Sequence, residues 1–299
     1  PMRLEILRVL CSDSFGVLEL CHIFQAKQSG MSHHLKVMAN AGLVSTRREG
    51  NSIFYWRSPV LSNAEFKALR EAMNKTLDGC DLSCETQSRI QDIYDSRSQA
   101  AQDFFAEHSN KFRETQELIA GFEVYGPLVA DVLTKSALKT KEKALEIGPG
   151  EGLFLNTLAT DFDEVTALDI TPAMLEKSQI NNCAFNNIDY VCSDTDWCKS
   201  NEECFDAVVI NMVLHHTPSP RSLFADASTS LKNNGVLLVC DLCRHEQDWV
   251  KEACGDLWQG FEPQELQTWA NENNLTEGQS SFLALRNGFQ IQIQQFLKN

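Results

Sequence analysis

Ala144-Leu-Glu-Ile-Gly-Pro-Gly-Glu-Gly152 is a short, largely apolar strand that runs straight into a glycine-rich bend. Gly148, Gly150 and Gly152 stand at alternate positions, so the backbone can turn sharply and leave room for a ligand against it. A dinucleotide phosphate loop, spaced G-x-G-x-x-G, would need a third glycine at position 153. That position is Leu153, which argues against NAD or FAD. Val165-Thr-Ala-Leu-Asp169 is a second apolar strand, ending in a carboxylate nineteen residues after Gly150. An acid there can accept hydrogen bonds from both hydroxyls of a nucleoside's ribose.

Strand and helix patterns alternate outward from this stretch. Strands are expected at 144–147, 165–168, 188–192, 205–210 and 236–240, with two closing runs near 280–285 and 289–296. Helices are expected at 151–160, 172–181, near 220–232 and at 263–273. Such alternation makes an α/β, doubly wound parallel sheet with its ligand at the carboxyl ends of the strands.

With Glu146 inside the first strand, the spacing E-x-G-x-G-x-G resembles the first signature of the class I S-adenosylmethionine-dependent methyltransferases. The likeness extends over nearly all of residues 143–299. It implies a Rossmann-like sheet that binds S-adenosylmethionine or S-adenosylhomocysteine. By that resemblance the bend at Gly148, Gly150 and Gly152 receives the amino-acid moiety, with Glu146 near its ammonium. Asp169 takes the ribose, Ile170 and Met174 line the adenine, Asp194 meets the adenine amine, and Asn211 lies beside the methyl donor. The helices carrying Phe104-Phe105 and Phe122 to Tyr125 would cap the pocket. His215-His216 invites a metal reading, but Leu-His-His after this strand is common in these methyltransferases, so the pair is read as pocket wall and no metal site is assigned. Cys240-Asp-Leu-Cys243 is read as two thiols at the core edge, because a redox or zinc role needs a helix N-terminus or further ligands. A sulfonium donor is already activated, and holding an acceptor in line supplies much of the acceleration. Catalytic residues therefore stay unassigned, and enzyme and binding module both remain open.

The chain has 299 residues, 43% apolar and 22% charged, as in ordinary globular proteins. No run of about 18 apolar residues argues for a membrane span, and eleven scattered cysteines fit no small secreted disulfide framework. A reducing cytoplasm is the expectation. Pro1 already lies inside an amphipathic pattern, which suggests a preceding piece. The net charge is −15, yet residues 1–58 carry seven Lys/Arg against four Asp/Glu, so the remainder carries −18. A locally basic end on an acidic body is a known layout for a DNA reader.

Apolar positions 4, 6, 7 and 10 suit a core-facing helix, and a short second helix is expected at Val17 to Phe24. A polar turn at 25–29 offers Ser29 as cap to a helix from Gly30 to Ala41, which buries Met31, Leu35 and Met38 and ends at Gly42. Two strand-like runs around Glu49-Gly-Asn51 then read as a hairpin. Helix, turn, helix and hairpin in this order describe a winged helix. Ser32-His-His-Leu-Lys-Val-Met-Ala-Asn-Ala-Gly-Leu-Val44, with Arg47-Arg-Glu-Gly-Asn51 and Phe54-Tyr55, resembles the ArsR/SmtB-type winged-helix repressors. By that resemblance the helix at 30–41 enters the DNA major groove, with Lys27, Gln28, Ser29, Ser32, His33 and Lys36 facing double-stranded DNA. Arg47, Arg48 and Asn51 would lie on the wing. The paired-thiol metal motif of many such repressors is incomplete here: Cys21 is present, and Ile23 stands where the second thiol would fall.

Residues 60–142 read as a helical connector between a winged-helix domain at 1–59 and the α/β domain at 143–299. A helix from Asn63 to Leu77, with Phe66, Leu69 and Met73 on one face, would pair two protomers into a homodimer matched to a two-fold operator. Asp78 to Cys84 breaks the pattern as a hinge or interdomain loop, and a long helix follows from Thr86 to about Asn110. The whole resembles bacterial regulators that join an ArsR-type head to a methyltransferase-like body. The expected function is a transcription regulator whose effector is the adenine nucleoside, with a small-molecule methyltransferase as the alternative.

Overall fold

A computed structural model describes residues 1–60, 66–108, 112–136 and 138–299. It comprises two compact units, Pro1–Arg97 and Ser98–Asn299. The first contains α1 (Met2–Val9), β1 (Phe15–Gly16), α2 (Val17–Phe24), α3 (Gln28–Asn40), the hairpin β2 (Val44–Glu49) and β3 (Ser52–Arg57), α4 (Lys67–Asp78) and most of α5 (Cys84–His108). The connector therefore does not stand alone: the break before Cys84 lies inside the first unit, and the division falls within α5.

The apolar spacing explains this unit's core. Ile6, Leu7, Leu10, Leu20, Ile23, Met31, Leu35 and Met38 are all buried together. Val9 joins them, whereas Leu4, expected in the core, is 43% exposed. Glu49 pairs with Ser52, leaving Gly50-Asn51 as a two-residue turn with Gly50 at φ +59°, the left-handed geometry that such a hairpin turn favours. Gly42, at φ +64°, ends α3. That helix begins at Gln28, two residues earlier than expected, so Ser29 sits in its first turn, and the cap is Lys27 without a side-chain bond.

On α4, Met73 and Leu77 pack on the core while Phe66 and Leu69, expected on the same face as Met73, are exposed. Residues 61–65, including the expected start of this helix, lie outside the described residues. Arg97 ties α5 to the rest of the unit. Its Nε and Nη2 donate to Glu19 at 2.9 and 2.7 Å, and its guanidinium lies over the rings of Phe15 and Phe54. Glu19 also accepts from the Gly16 amide at 2.7 Å, so one carboxylate caps α2 and anchors α5.

The second unit runs α6 (Phe112–Glu117), α7 (Phe122–Thr134), β4 (Lys143–Ile147), α8 (Leu155–Asp161), β5 (Glu164–Asp169), α9 (Pro172–Asn181), β6 (Ile188–Cys192), β7 (Phe205–Asn211), α10 (Pro220–Ser230), β8 (Leu231–Leu242), α11 (Val250–Cys254), α12 (Pro263–Glu272), β9 (Leu275–Ala284) and β10 (Gln290–Lys298). The sheet order is β6-β5-β4-β7-β8-β10-β9. The first five of these are parallel, and β10 is antiparallel to both β8 and β9. Central strands covered on both faces must be apolar throughout, and Phe205 to Ile210 are buried at every position. The expected helix at 151–160 shortens to α8 because the glycine bend and a turn occupy 151–154.

Asp206 sets the start of β4. Its carboxylate accepts from Thr140 Oγ1 at 2.5 Å, from the amides of Glu142 and Lys143 at 3.0 and 2.9 Å, and from Lys232 Nζ at 3.1 Å. Burial alone would raise its pKa, but these donors outweigh it and hold the carboxyl below its ordinary value. A lowered carboxylate stabilises above the unfolded-state pKa, and the contribution is lost as pH falls through the folded value. Asp206→Ala should therefore lower stability by about 2–3 kcal/mol at neutral pH, with the difference from wild type shrinking in acid, measured by denaturant melts across pH.

Candidate functional site

The parallel register brings the carboxyl ends of β4, β5 and β7 to one edge of the sheet, where Ile147 pairs with both Leu168 and Ile210. Gly148, Gly150 and Gly152 follow at φ +66°, +57° and +76°, a region that costs residues with a Cβ. The Gly148 amide donates to Leu168 O at 2.8 Å, and a Cβ on Gly148 would lie 2.6 Å from Val213 Cγ2. Behind Gly152 stand Ser178 and Asn182. Asn182 Nδ2 donates to the Gly152 carbonyl at 2.9 Å, and Asn181 Nδ2 to that of Glu151 at 2.9 Å. Residues at the end of α9 and just beyond it thus fix the bend, a role that the glycine spacing did not reveal.

Two carboxylates face this bend. Glu146 is 1% exposed, and burial pushes its carboxyl up to about 8, moderated by Asn211. Asn211 Nδ2 donates to Glu146 Oε1 at 3.2 Å, while Glu146 Oε2 and Asn211 Oδ1 are buried without a hydrogen-bond partner among the described residues. Asp169 ends β5, and burial raises it to about 6 against hydrogen bonds from Thr171, Ile170 and the Gly150 backbone. The Thr171 amide reaches its Oδ1 at 2.8 Å. Tyr125 is half-buried here; desolvation and the neighbouring charges of Cys240, Glu146 and Asp241 push its phenol upward.

Buried acceptors without donors are costly unless a ligand completes them. An ammonium, with three donors and a positive charge, suits the Glu146–Asn211 pair, and Asp169 suits ribose hydroxyls. The residues present thus fit an amino-acid-bearing nucleoside. Ile170 is half-buried beside Asp169, and Met174 is buried on α9. Asp194 is exposed, and its Oδ1 accepts from the Asp196 amide at 3.2 Å as cap of the 3-10 turn Thr195–Ser200.

A second polar group lies in the turn after β7. His215 Nδ1 donates to Asp241 Oδ1 at 2.7 Å, both side chains being fully buried. Burial pulls the imidazole down, but the Asp241 and Asp256 carboxylates outweigh it and hold it up at about 9. His216 is held well below its ordinary value by burial and by the His215 charge. Phe105 packs edge-on against His216 with ring centroids 5.0 Å apart, and Phe104 packs on Gly255. The side chain of His108 lies outside the described residues. Asp241 and Asp256 escaped sequence reading because the strand and loop that carry them are separated from His215 by 26 and 41 positions.

In the first unit, Lys27, Gln28, Ser29, Ser32, His33 and Lys36 are all exposed on α3 or at its start, with Met31, Leu35 and Met38 buried on the other side. On the hairpin, Arg48 and Asn51 are exposed. Arg47 corrects the expectation of a solvent-facing wing residue. It is 7% exposed, and its Nε lies 2.7 Å from Glu49 Oε1, because the two residues stand two apart on the same face of β2. Cys21 is half-buried, and burial raises its thiol.

Residues 1–46 match the family model of bacterial regulatory proteins of the arsR family, and residues 145–239 match that of a methyltransferase domain. A ubiquinone biosynthesis O-methyltransferase of Chromobacterium violaceum is 25% identical over 155 residues, 51% of this chain and 67% of that enzyme. The transcriptional activator HlyU of Vibrio cholerae is 37% identical over 73 residues, 24% of this chain and 64% of that protein. Among solved structures, a Burkholderia thailandensis 1,6-didemethyltoxoflavin-N1-methyltransferase with bound 1,6-didemethyltoxoflavin and S-adenosylhomocysteine superposes with a TM-score of 0.54 at 14% identity, over 74% of this chain and 92% of that one. That likeness shows the fold. The chain joins an ArsR-type helix-turn-helix to a methyltransferase-type α/β domain.

The raised Glu146 carboxyl makes a prediction about the ligand-free protein. A carboxyl whose folded pKa exceeds its unfolded value binds its proton more tightly when folded, so stability falls as pH rises from about 4.5 to about 8. Glu146→Gln should flatten part of that decline, measured by chemical denaturation at several pH values; an unchanged slope would refute the assignment.

Proposed function

We propose that this chain is a DNA-binding transcription regulator whose methyltransferase-type domain binds S-adenosylmethionine or S-adenosylhomocysteine as effector. The carrying observation is the Glu146–Asn211 pair, buried and incompletely hydrogen-bonded beside the glycine bend, in a chain whose α3 also presents an exposed polar face. The amino-acid end of the nucleoside would sit on the bend with its ammonium at Glu146 and Asn211, and its ribose at Asp169. Ile170 and Met174 would line the adenine, and Asp194 would supply a polar edge. S-adenosylmethionine, where bound, supplies an activated methyl group.

The winged helix supports DNA binding through Lys27, Gln28, Ser29, Ser32, His33 and Lys36 on α3, with Arg48 and Asn51 at the wing. A two-fold operator would be read by a homodimer in the cytoplasm. For the ligand to regulate, it must favour one DNA-binding state over the other, and a hundredfold change in affinity needs about 2.7 kcal/mol of coupling. Titration of a palindromic DNA from the chain's own upstream region, with and without each nucleoside, tests this. A ligand-dependent shift is expected; unchanged DNA affinity at saturating nucleoside would overturn the effector role.

A working methyltransferase on a small molecule is the second reading, favoured by the enzymes among the relatives of the α/β domain. Transfer of labelled methyl to pooled cell metabolites separates the two.

Two substitutions probe the separate surfaces. Asp169→Ala should weaken nucleoside binding by about 1–3 kcal/mol, measured by equilibrium dialysis, with DNA binding without nucleoside retained. Arg48→Ala should weaken DNA binding and reduce its salt slope by about one. Arg47→Ala should instead lower the first unit's unfolding midpoint, because it removes a guanidinium 2.7 Å from the buried Glu49 carboxylate.

A further inference from the structure

We propose that His215, His216 and Asp256 form a binding site for a divalent transition-metal ion, with Asp241 orienting His215 from behind. All three side chains are buried, and one candidate ligand atom from each lies within 4.8 Å of the others. This inference does not depend on nucleoside binding.

The decisive feature is how His215 is held. Its Nδ1 donates to Asp241 at 2.7 Å, and Asp241 is itself fixed by the amides of Leu214 and Leu242 at 2.9 and 2.7 Å. Nδ1 is thereby committed to Asp241, and Nε2 is left buried without a hydrogen-bond partner among the described residues, where an ion would take the place of its proton. A carboxylate on one ring nitrogen with the other free is the outer-shell arrangement of metal-binding imidazoles.

His216 completes the pair from the same turn, with its ring centroid 4.0 Å from that of His215. Its Nδ1 lies 3.7 Å from Asp256 Oδ1, and its Nε2 lies 3.4 Å from the Gln116 amide. In the ion-free chain Nδ1 also lies 3.4 Å from the Gly255 carbonyl, to which it can only donate, so an ion at Nδ1 displaces that bond and moves the proton to Nε2, where the oxygen of a flipped Gln116 amide accepts it. Backbone geometry holds the third group in place. The amides of Leu257 and Trp258 donate to the His215 carbonyl at 2.9 and 3.0 Å, which pins the loop carrying Asp256 against the histidine turn. Phe105 packs on His216, and Leu214 and Trp258 are buried beside the turn, so the surroundings are apolar.

Two imidazoles and one carboxylate suit zinc or another first-row divalent ion, and three protein ligands leave a coordination position for water or an oxygen of a bound small molecule. The site follows β7 by a few residues, beyond Asn211.

The test uses the full chain, stripped with a chelator and titrated with cobalt(II), then with zinc(II) as competitor. The expected result is about one ion per chain, with the visible ligand-field bands of a four-coordinate nitrogen and oxygen site and no thiolate charge-transfer band. His216→Ala and Asp256→Asn should each weaken binding by about 10–100-fold or more, and Asp241→Asn should fall within that range at unchanged stoichiometry. Circular dichroism checks the fold of each variant, and the wild-type spectrum stands without them. No cobalt bands in the folded wild type would overturn the proposal. So would thiolate bands, or unchanged affinity in both ligand variants.

Discussion

The methyltransferase-type unit turns on a backbone constraint: the chain must leave β4 through three left-handed residues in five. Gly148 can do so because nothing projects toward Val213, and its amide then closes on Leu168 of the neighbouring strand. Gly150 hydrogen-bonds Asp169. The bend and the carboxylate are thus one assembly, in which the position of each fixes the other. Asn181 and Asn182 hold the far side, so the groove is shaped before any ligand arrives. Preorganisation of this kind reduces the ordering cost of binding.

The same edge of the sheet concentrates buried polar and ionisable groups. Glu146 is kept from water with half of its hydrogen-bonding capacity unmet, and Asn211 beside it carries an unmet acceptor. A fold that served packing alone would gain by replacing such a pair with apolar groups. The arrangement makes sense as part of a site that a cationic, donor-rich group completes. The histidine turn after β7 repeats the logic: a fixed imidazole, a supporting carboxylate, and one nitrogen with nothing to meet.

Much of this was legible in the residues. The span of α9, 172–181, follows from Pro172 at its first position, and β6 from its apolar pattern. The winged-helix core follows from helical spacing, since Met31, Leu35 and Met38 can share only one face. What stayed hidden depends on tertiary neighbours. Leu4 and Arg47 each exchanged places with expectation because the burial of a face is decided by what packs on it. Ser29 looked like a cap, yet α3 starts earlier, as helix ends are the weakest inference from sequence. Asp256 reaches His216 only because a loop of the second unit folds back, which no local spacing encodes.

Nucleoside binding here requires a cationic group to meet Glu146 as a carboxylate. Its carboxyl, held at about 8, is mostly protonated at pH 7 in the ligand-free chain, so taking up an ammonium there must expel a proton. Calorimetric titration of S-adenosylhomocysteine at pH 7, in buffers of differing ionisation enthalpy, reads that proton directly. Saturable binding with release of about one proton per ligand is expected. Binding without any buffer dependence, or no binding at millimolar nucleoside, would contradict it.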